Sequence, residues 1–426
     1  MKKVSKIGKK NKKEKVLREV EILGAEQYEH LRVDGRVETI QALIPLGLMF
    51  VQKELQREVE ELAGERYARE SGGKQWVRYG SNPGSVRLAG QRVAVKVPRV
   101  RSLGSQKEVG LESYQALKKQ SGEVDERLLR RVLYGISCRN YESAAEAVPG
   151  SIGLSSSSVS RQFIEATRKQ LKAFQERDLS REDFVALWVD GKAFTEDTMI
   201  VVLGLTMQGK KVPIGFVQAG TENTSVMEDL FRGLLERGLN VEAGLLVIID
   251  GSKGIRAAVQ RVFGKKALVQ RCQWHKRENV VSYLPKGRQP SWRARLQKAY
   301  KKPTYREAKS ALNQLLKELQ AQNIHAAGSL EEGFEETLTL HRLGVYQKLG
   351  ASLKTTNCIE SVMSQVEARC SKVSHWKNSS QKHRWLASSL LDIEKRLRRI
   401  KGHKHLPLLR EALQKELKIK TLKQVA

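Results

Sequence analysis

The sequence predicts an α/β fold in which a mixed β-sheet is interrupted by a stretch of helices. Two apolar runs, at 184–190 and 245–249, have the length of strands buried on both faces. Strand and helix patterns alternate around the second run, which is typical of a sheet with parallel strands. From 289 to 352 only helical periodicity remains, so this stretch is predicted to be an all-helical insertion.

The composition indicates a polyanionic partner. At 426 residues the chain has room for about two to four domains, since roughly 100–200 residues per domain is usual. Lys and Arg number 77 against 47 Asp and Glu, so nucleic acid or an anionic membrane surface is the obvious partner. No segment approaches the ~20 apolar residues of a membrane span. Four cysteines in so long a chain indicate reduced thiols. We expect a soluble cytoplasmic, nucleoid-associated protein without membrane contact.

Residues 1–120 are predicted to form a basic N-terminal region with one helix and a small β element. The first 20 residues hold nine Lys or Arg, as in a solvated tail that binds phosphate non-specifically. Apolar spacing from 36 to 66 predicts a helix that Pro45 kinks or breaks, and either core packing or a dimer contact would explain its apolar side. Turn signals between 72 and 90 and alternation up to 97 predict a hairpin.

Residues 121–182 are predicted to form a helix-turn-helix unit. Helical patterns at 124–134, 139–148 and 156–174 are separated by short turns that contain Gly. The third helix of such a unit lies on DNA. Here it would present Ser156, Ser157, Ser158, Ser160, Arg161 and Lys169. An ordinary helical bundle with a serine-rich cap is the alternative, and the basic charge of the chain favours DNA binding.

Residues 183–288 carry the first part of the predicted catalytic core. Three strand patterns are followed by a helix, the strand 245–249, another helix and a short strand from 267. This order, β-β-β-α-β-α-β, is the ribonuclease-H-like plan, in which the first and fourth strands of a mixed sheet lie side by side. That adjacency would bring Asp190 and Asp250 together at strand ends, where open α/β sheets place ligands. One such aspartate alone would equally suit a helix cap.

The helical insertion, 289–352, begins near Trp292, Arg293 and Arg295, which either contact DNA or pack as a core indole beside solvated arginines. A capping box, Thr304-x-x-Glu, opens its central helix. Residues 353–426 return to the core with Glu360 and end in a basic tail. An alternative interpretation of Glu360 is that it forms a capping box with Asn357, three residues earlier.

The acidic residues suggest phosphoryl transfer. Two divalent ions about 3.5–4 Å apart neutralise the attacking and leaving oxygens in such reactions, and carboxylates hold them. Hard oxygen ligands suit Mg²⁺ or Mn²⁺. Asp190 and Asp250 would bridge two ions, and Glu360 is the candidate for the third carboxylate. Lys192 and Lys253, beside the aspartates, either contact phosphates or are solvated charges.

Four motifs resemble those of the Mutator-type transposases of bacterial insertion sequences. They are WVDGK around Asp190, IDGSKG around Asp250, CQWHKREN from Cys272 and TTNCIES around Glu360. The similarity spans about 128–397, and the first 120 residues match only loosely. It implies a DDE transposase with a ribonuclease-H-like core, an acidic triad of Asp190, Asp250 and Glu360, and a helix-turn-helix between Tyr134 and Arg161. Members of this class pair two DNA ends, so a homodimer or larger homo-oligomer is implied.

The family's Cys-x-x-His signature falls on Cys272 and His275. The spacing suits half a zinc site that Cys370 and His375 would have to complete. The interpretation we favour is structural, with the pair stabilising the turn from strand to helix near the metals. Trp274 between them is either a stacking partner for an extruded base or a core indole.

The resemblance therefore implies an enzyme that binds the terminal inverted repeats of its insertion sequence. Such an enzyme cuts double-stranded DNA at the ends of that element and joins these ends to target DNA. A water activated by the metals cuts at the element's end, and the freed 3′-hydroxyl attacks target DNA. Two alternatives are a DNA-binding regulator with an inactive core and a ribonuclease-H-like nuclease without strand joining. The complete triad argues against the first, and the helical insertion against the second.

Overall fold

The computed structural model describes most of the chain from residue 50 onward. The described residues are 50–66, 75–88, 91–105, 107–119, 126–136, 138, 151–152, 155–194, 196–219 and 224–419. They fall into two compact units, residues 1–166 and residues 167–426. The segment boundaries predicted at 120, 182, 288 and 352 stay predictions.

The first unit contains helices and one small antiparallel sheet. Its described elements are α1 (50–63), β1 (Trp76–Leu88), β2 (Gln91–Ser102), β3 (Glu108–Val109), α2 (Glu112–Lys119), α3 (Glu126–Leu133), β4 (Ser151–Ile152) and α4 (Ser156–Gln175), which continues into the second unit. Val51, Leu55 and Val59 of α1 are buried against this sheet. Core packing therefore explains the apolar side of the described part of α1, and the part before residue 50 lies outside the described residues.

The hairpin of β1 and β2 is longer than predicted. Asn82-Pro-Gly is one of the turn signals between 72 and 90, but no turn forms there, because Asn82 and Gly84 lie inside β1, paired with Val97 and Val95 of β2. β1 is an edge strand of this sheet, where a proline is tolerated. Gly84 permits close packing, since a Cβ there would lie 2.5 Å from Cγ2 of Val97.

Two of the three helices of the predicted helix-turn-helix are described. They are α3 and α4, and α3 ends before Gly135, whose φ is 100°. The second predicted helix, 139–148, lies outside the described residues. The helix-turn-helix therefore stays a prediction.

The second unit is a mixed sheet with helices. Its strands are β5 (Phe184–Phe194), β6 (Asp197–Thr206), β7 (Lys211–Ala219), β8 (Leu245–Ile249) and β9 (Ala267–Arg271). Its remaining helices are α5 (Thr224–Glu236), α6 (Lys253–Phe263), α7 (Gln273–Ser282), α8 (Gln289–Tyr300), α9 (Tyr305–Gln322), α10 (Ile324–Glu331), α11 (Phe334–Thr337), α12 (Thr339–Arg342), α13 (Tyr346–Leu353), α14 (Asn357–Cys370), α15 (Ser379–Glu394) and α16 (Leu406–Glu416).

The sheet has the strand order β7-β6-β5-β8-β9. β5 pairs antiparallel with β6 and parallel with β8, so the predicted adjacency of the first and fourth strands is confirmed. All five residues of β8 are buried, as expected for a strand covered on both faces. The register places Val189 beside Ile249, which makes Asp190 and Asp250 the next residues on neighbouring strands.

Helices α8 to α13 follow α7 and are the predicted all-helical stretch. Apolar side chains of α8, α9 and α10 form a core around Leu296, Leu312 and Leu319, which Val280 and Val281 of α7 also join. The predicted capping box of α9 is confirmed, with Thr304 and Glu307 satisfying each other's backbone N–H groups. Trp292 is buried with the guanidinium of Arg295 over its ring at 4.5 Å, so the packed-indole interpretation is correct for Trp292.

Helix α16 contacts the sheet at the end where β5 and β8 begin. Arg410 of α16 donates to the carbonyl oxygens of Gly244 at 2.6 Å and Phe184 at 3.0 Å, next to the first residues of β8 and β5. Helix α15 ends at Glu394, whose carboxylate accepts hydrogen bonds from the guanidinium of Arg177. Within the described part of the chain, no helix has the length and apolar character to cross a membrane.

Candidate active site

Asp190 lies in the interior of β5, and this corrects the prediction that its strand ends there. The strand continues through Gly191 to Phe194, because antiparallel pairing with β6 extends beyond the parallel pairing with β8. Asp190 is only 2% exposed. Its Oδ2 is buried without a hydrogen-bond partner among the described residues. A buried carboxylate oxygen in this state is unfavourable unless a proton or cation reaches it.

Asp250 follows β8 directly and begins a turn. Its Oδ1 accepts a hydrogen bond of 3.0 Å from the N–H of Ser252. Gly251 has a φ of 136°, which favours glycine. Ser252, and not Asp250, is the N-cap of α6, since its side chain accepts from the N–H of Ile255. The helix-cap interpretation of Asp250 is therefore wrong, and its second carboxylate oxygen is available for other contacts.

Glu360 lies in the first turn of α14, with a carboxylate oxygen within 4.8 Å of one of Asp190. The capping-box alternative is wrong, because the helix begins at Asn357 with Thr356 as N-cap and no side-chain capping bond. Ile359, the preceding residue, is fully buried. The Oε1 of Glu360 lies 4.0 Å from Nζ of Lys192. Buried apolar neighbours thus fix the helix while Glu360 stays partly exposed at its edge.

The carboxylates influence one another electrostatically. Burial, as the largest cause, and the negative charges of Asp250 and Glu360 together raise the pKa of Asp190 to about 7, against the opposing effects of Thr356 and Lys192. Such a cluster of like charges is stable only when a proton or a cation is shared among its members. The site is therefore suited to binding positive charge.

His275 is closer to the carboxylates than a purely structural role requires. Its Nε2 lies 3.5 Å from Oε1 of Glu360. Ligand atoms of Asp190, His275 and Glu360 all lie within 4.8 Å of one another. The hydroxyl of Thr356 contacts Nδ1 of His275 at 3.3 Å and donates to Sγ of Cys272 at 3.8 Å. The sequence carries no sign of this proximity, because Thr356 and Glu360 lie more than 80 residues after His275 along the chain.

Cys272 is fully buried and positions the start of α7. Its N–H donates to the carbonyl oxygen of Ile249 at 2.7 Å. Burial raises the pKa of its thiol, which keeps it protonated. Cys370 and His375 do not join Cys272 in any metal-ligating group of the described residues. The zinc site that would have required all four residues finds no support in this arrangement.

Arg271, at the end of β9, was not identified from the sequence. It is buried and donates to the carbonyl oxygens of Gly251 and, at 2.8 Å, Glu332. Lys276, also buried, donates to the carbonyl oxygens of Ser329 and Glu332, both at 2.7 Å. These bonds connect the Asp250 turn to the helical stretch. The sequence signal that could have identified Arg271 is a charged residue at the end of an apolar strand.

The remaining predicted site residues differ in exposure. Trp274 is 40% exposed and makes an edge contact with the ring of His275, so the core-indole alternative is wrong. The side chain of Lys253 is 86% exposed and lies 3.7 Å from Glu332. In the first unit, Ser157 and Arg161 are exposed at the start of α4, and Ser158 and Ser160 are half-buried there.

Comparison with known proteins agrees with the resemblance seen in the motifs. Residues 21–399 match the family model described as "Transposase, Mutator family". The transposase for insertion sequence element IS6120 of Mycolicibacterium smegmatis is 31% identical over 244 residues, which cover 56% of this chain and 74% of that protein. The transposase for IS256 in transposon Tn4001 of Staphylococcus aureus is 28% identical over 316 residues, covering 70% and 76%. The match to the family model extends over most of the sequence, and this protein therefore belongs to the Mutator family of insertion-sequence transposases.

Proposed function

We propose that this transposase binds the terminal inverted repeats of its element and catalyses metal-dependent cleavage and strand transfer of DNA. The observation that carries the proposal is the meeting of three carboxylates from distant parts of the chain. Asp190 and Asp250 follow paired residues of β5 and β8, and Glu360 comes from a helix more than 100 residues later. The pKa of Asp190 responds to both of the others.

The strand order supports a ribonuclease-H-like core. Three antiparallel strands are followed by two parallel ones, with the first strand in the centre of the sheet. Helices α8 to α13 then separate β9 from the helix that carries Glu360. This is the plan that the family resemblance implies for a DDE transposase interrupted by a helical insertion.

The residues present fit a divalent metal centre. Carboxylate oxygens are preferred ligands of Mg²⁺ and Mn²⁺, and Asp190 offers a buried oxygen without a partner among the described residues. Asp190, Asp250 and Glu360 would hold two ions. When bound, these ions would neutralise the charge that develops on the attacking and leaving oxygens at phosphorus.

Two successive displacements at phosphorus describe the reaction. Water cleaves a phosphodiester at the end of the element and leaves a 3′-hydroxyl, which then attacks a phosphodiester of the target without a covalent protein intermediate. Lys192, close to Glu360, and the exposed Lys253 supply positive charge for phosphates. The exposed indole of Trp274, beside His275, is the surface on which an unpaired base would stack.

The N-terminal part of α4 is proposed to contact DNA through Ser157, Ser158, Ser160 and Arg161. The excess of 77 basic over 47 acidic residues supports a phosphate-binding surface. Two element ends must be joined to one target, so a homodimer or a larger homo-oligomer is the expected working form. Replacing Arg161 with Ala should weaken binding to terminal DNA without lowering the melting temperature.

The test uses duplexes that carry the terminal repeats flanking the gene, with Mg²⁺ or Mn²⁺. We expect Asp190→Asn, Asp250→Asn and Glu360→Gln to abolish cleavage while binding in a gel-shift assay persists. Glu367→Gln, an exposed position on the same helix, is the matched control and should cleave normally. Normal cleavage by the Glu360 variant would refute the site. Binding without cleavage by the wild type would instead favour a regulator, and cleavage without joining a simple nuclease.

A further inference from the structure

An imidazole nitrogen, and not only carboxylate oxygens, lies beside the carboxylate of Glu360. Nε2 of His275 lies 3.5 Å from Oε1 of Glu360, and both are within 4.8 Å of a carboxylate oxygen of Asp190. Two ligands of one ion at bond lengths of about 2.1 Å stand about 3.0–3.4 Å apart when the angle between them is near 90–110°. Small side-chain rotations would bring the three groups to this spacing.

Thr356 selects the form of the imidazole that can bind a cation. Its hydroxyl has a single hydrogen, and that hydrogen has acceptors in the Sγ of Cys272 and the carboxylate of Asp190. The hydroxyl oxygen can then accept the Nδ1–H of His275 across 3.3 Å. This leaves the lone pair of Nε2 directed at Glu360. A hydrogen bond on the other ring nitrogen is typical of metal-bound histidine.

A second observation indicates that a cation belongs between these groups. Oδ2 of Asp190 is buried and accepts no hydrogen bond from any described residue, and with only 2% of Asp190 exposed, solvent has little access to it. Electron pairs on Nε2 and on Glu360 Oε1 would repel each other across the same space unless a positive charge separates them.

We infer that Nε2 of His275 is a direct ligand of one divalent ion, together with Asp190 and Glu360. Asp250 is not part of this three-residue group, so an ion shared by Asp190 and Asp250 keeps oxygen ligands only. One of the two positions is thereby a mixed nitrogen and oxygen site. Imidazole favours transition metals over Mg²⁺ and Ca²⁺, so this position selects Mn²⁺ over Mg²⁺. The inference rests on the proposed metal-dependent function, whose site it specifies further.

The experiment measures metal binding by the full chain without DNA, so it does not depend on activity. Mn²⁺ at saturation should show coupling to a directly bound ¹⁴N nucleus in pulsed electron paramagnetic resonance. His275→Ala should remove the coupling and weaken Mn²⁺ binding at least tenfold, with less than a threefold effect on Mg²⁺. His275→Gln, which retains polarity and similar size, should also lose the coupling. Melting temperature and circular dichroism check that each variant folds.

Two matched variants separate this role from others. His325→Ala removes an exposed histidine that stacks on Tyr283 and should leave Mn²⁺ binding unchanged. Thr356→Val removes the partner of Nδ1 and should weaken Mn²⁺ binding while the nitrogen coupling persists. Absence of nitrogen coupling in the wild type, or wild-type Mn²⁺ binding by His275→Ala, would overturn the inference. If the triad variants still stop cleavage in that case, the proposed function stands without it.

Discussion

Asp190→Asn should make the metal-free protein less sensitive to pH. The pKa of Asp190 is raised from 3.8 to about 7, chiefly by burial. The folded state therefore retains a proton that the unfolded state loses above pH 4, and stability falls as the pH rises toward 7. One pKa unit corresponds to about 1.4 kcal/mol, so linkage gives a loss of about 2.5 kcal/mol between pH 5 and pH 8. An Asn at this position does not titrate and avoids that loss.

The assay is thermal unfolding in EDTA at several pH values, comparing wild type with the variant. Titrating groups that do not interact with Asp190 contribute equally to both proteins, so the difference between their pH profiles reports on Asp190 and the carboxylates coupled to it. At about 2–4 °C per kcal/mol for a unit of this size, the two melting temperatures should diverge by roughly 5–10 °C from pH 5 to pH 8, in favour of the variant. Asp229→Asn, at an exposed carboxylate, is the control and should follow the wild type. Parallel profiles for Asp190→Asn and wild type would refute the electrostatic reasoning.

Three further predictions concern other parts of the molecule. Gly333→Ala should lower the free energy of unfolding by about 2–3 kcal/mol, because φ is 65° and the new Cβ would lie 2.3 Å from Nη1 of Arg271. The control Gly344→Ala, with φ of 70° but nothing within 4 Å, should lower it by only about 1 kcal/mol, and urea unfolding measures both. His341 is buried with its pKa lowered to about 4, so stability should fall by up to about 3 kcal/mol as the pH drops from 6.5 to 4, and His341→Gln should flatten that loss in the same thermal assay. DNA affinity should decrease steeply with salt in filter binding, and a flat response between 50 and 200 mM would contradict the basic-surface argument.

The sequence was most informative where burial alone decides structure. The strand Leu245–Ile249 was predicted residue for residue, because an apolar run between turn signals has few other uses. The strand that carries Asp190 was predicted too short, because Gly191 resembles a turn signal and the pairing with β6 that overrides it is not local. Local patterns cannot report on a partner strand that lies further along the chain.

The composition of the site could be predicted only in part, for the same reason. Charge and strand position marked Asp190 and Asp250, and the motif around Glu360 marked the third carboxylate. The orientation of His275 depends on Thr356, 81 residues away, and no spacing rule relates them. Arg271 and Gly333 were missed because their importance arises from one close approach of two segments.

Because these two segments lie so close together, the helical stretch 289–352 cannot be exchanged as an independent unit. Arg271 and Lys276 are cations enclosed by protein, and the carbonyl groups that accept from them belong to Gly251 and to the 329–332 segment. Removing or exchanging residues 289–352 alone would leave both charges buried without these hydrogen-bond acceptors. The loss of stability would be several kcal/mol for each charge. A chimera built from two relatives must therefore transplant β9 and α7 with the helices, so the viable crossover point lies upstream of Arg271.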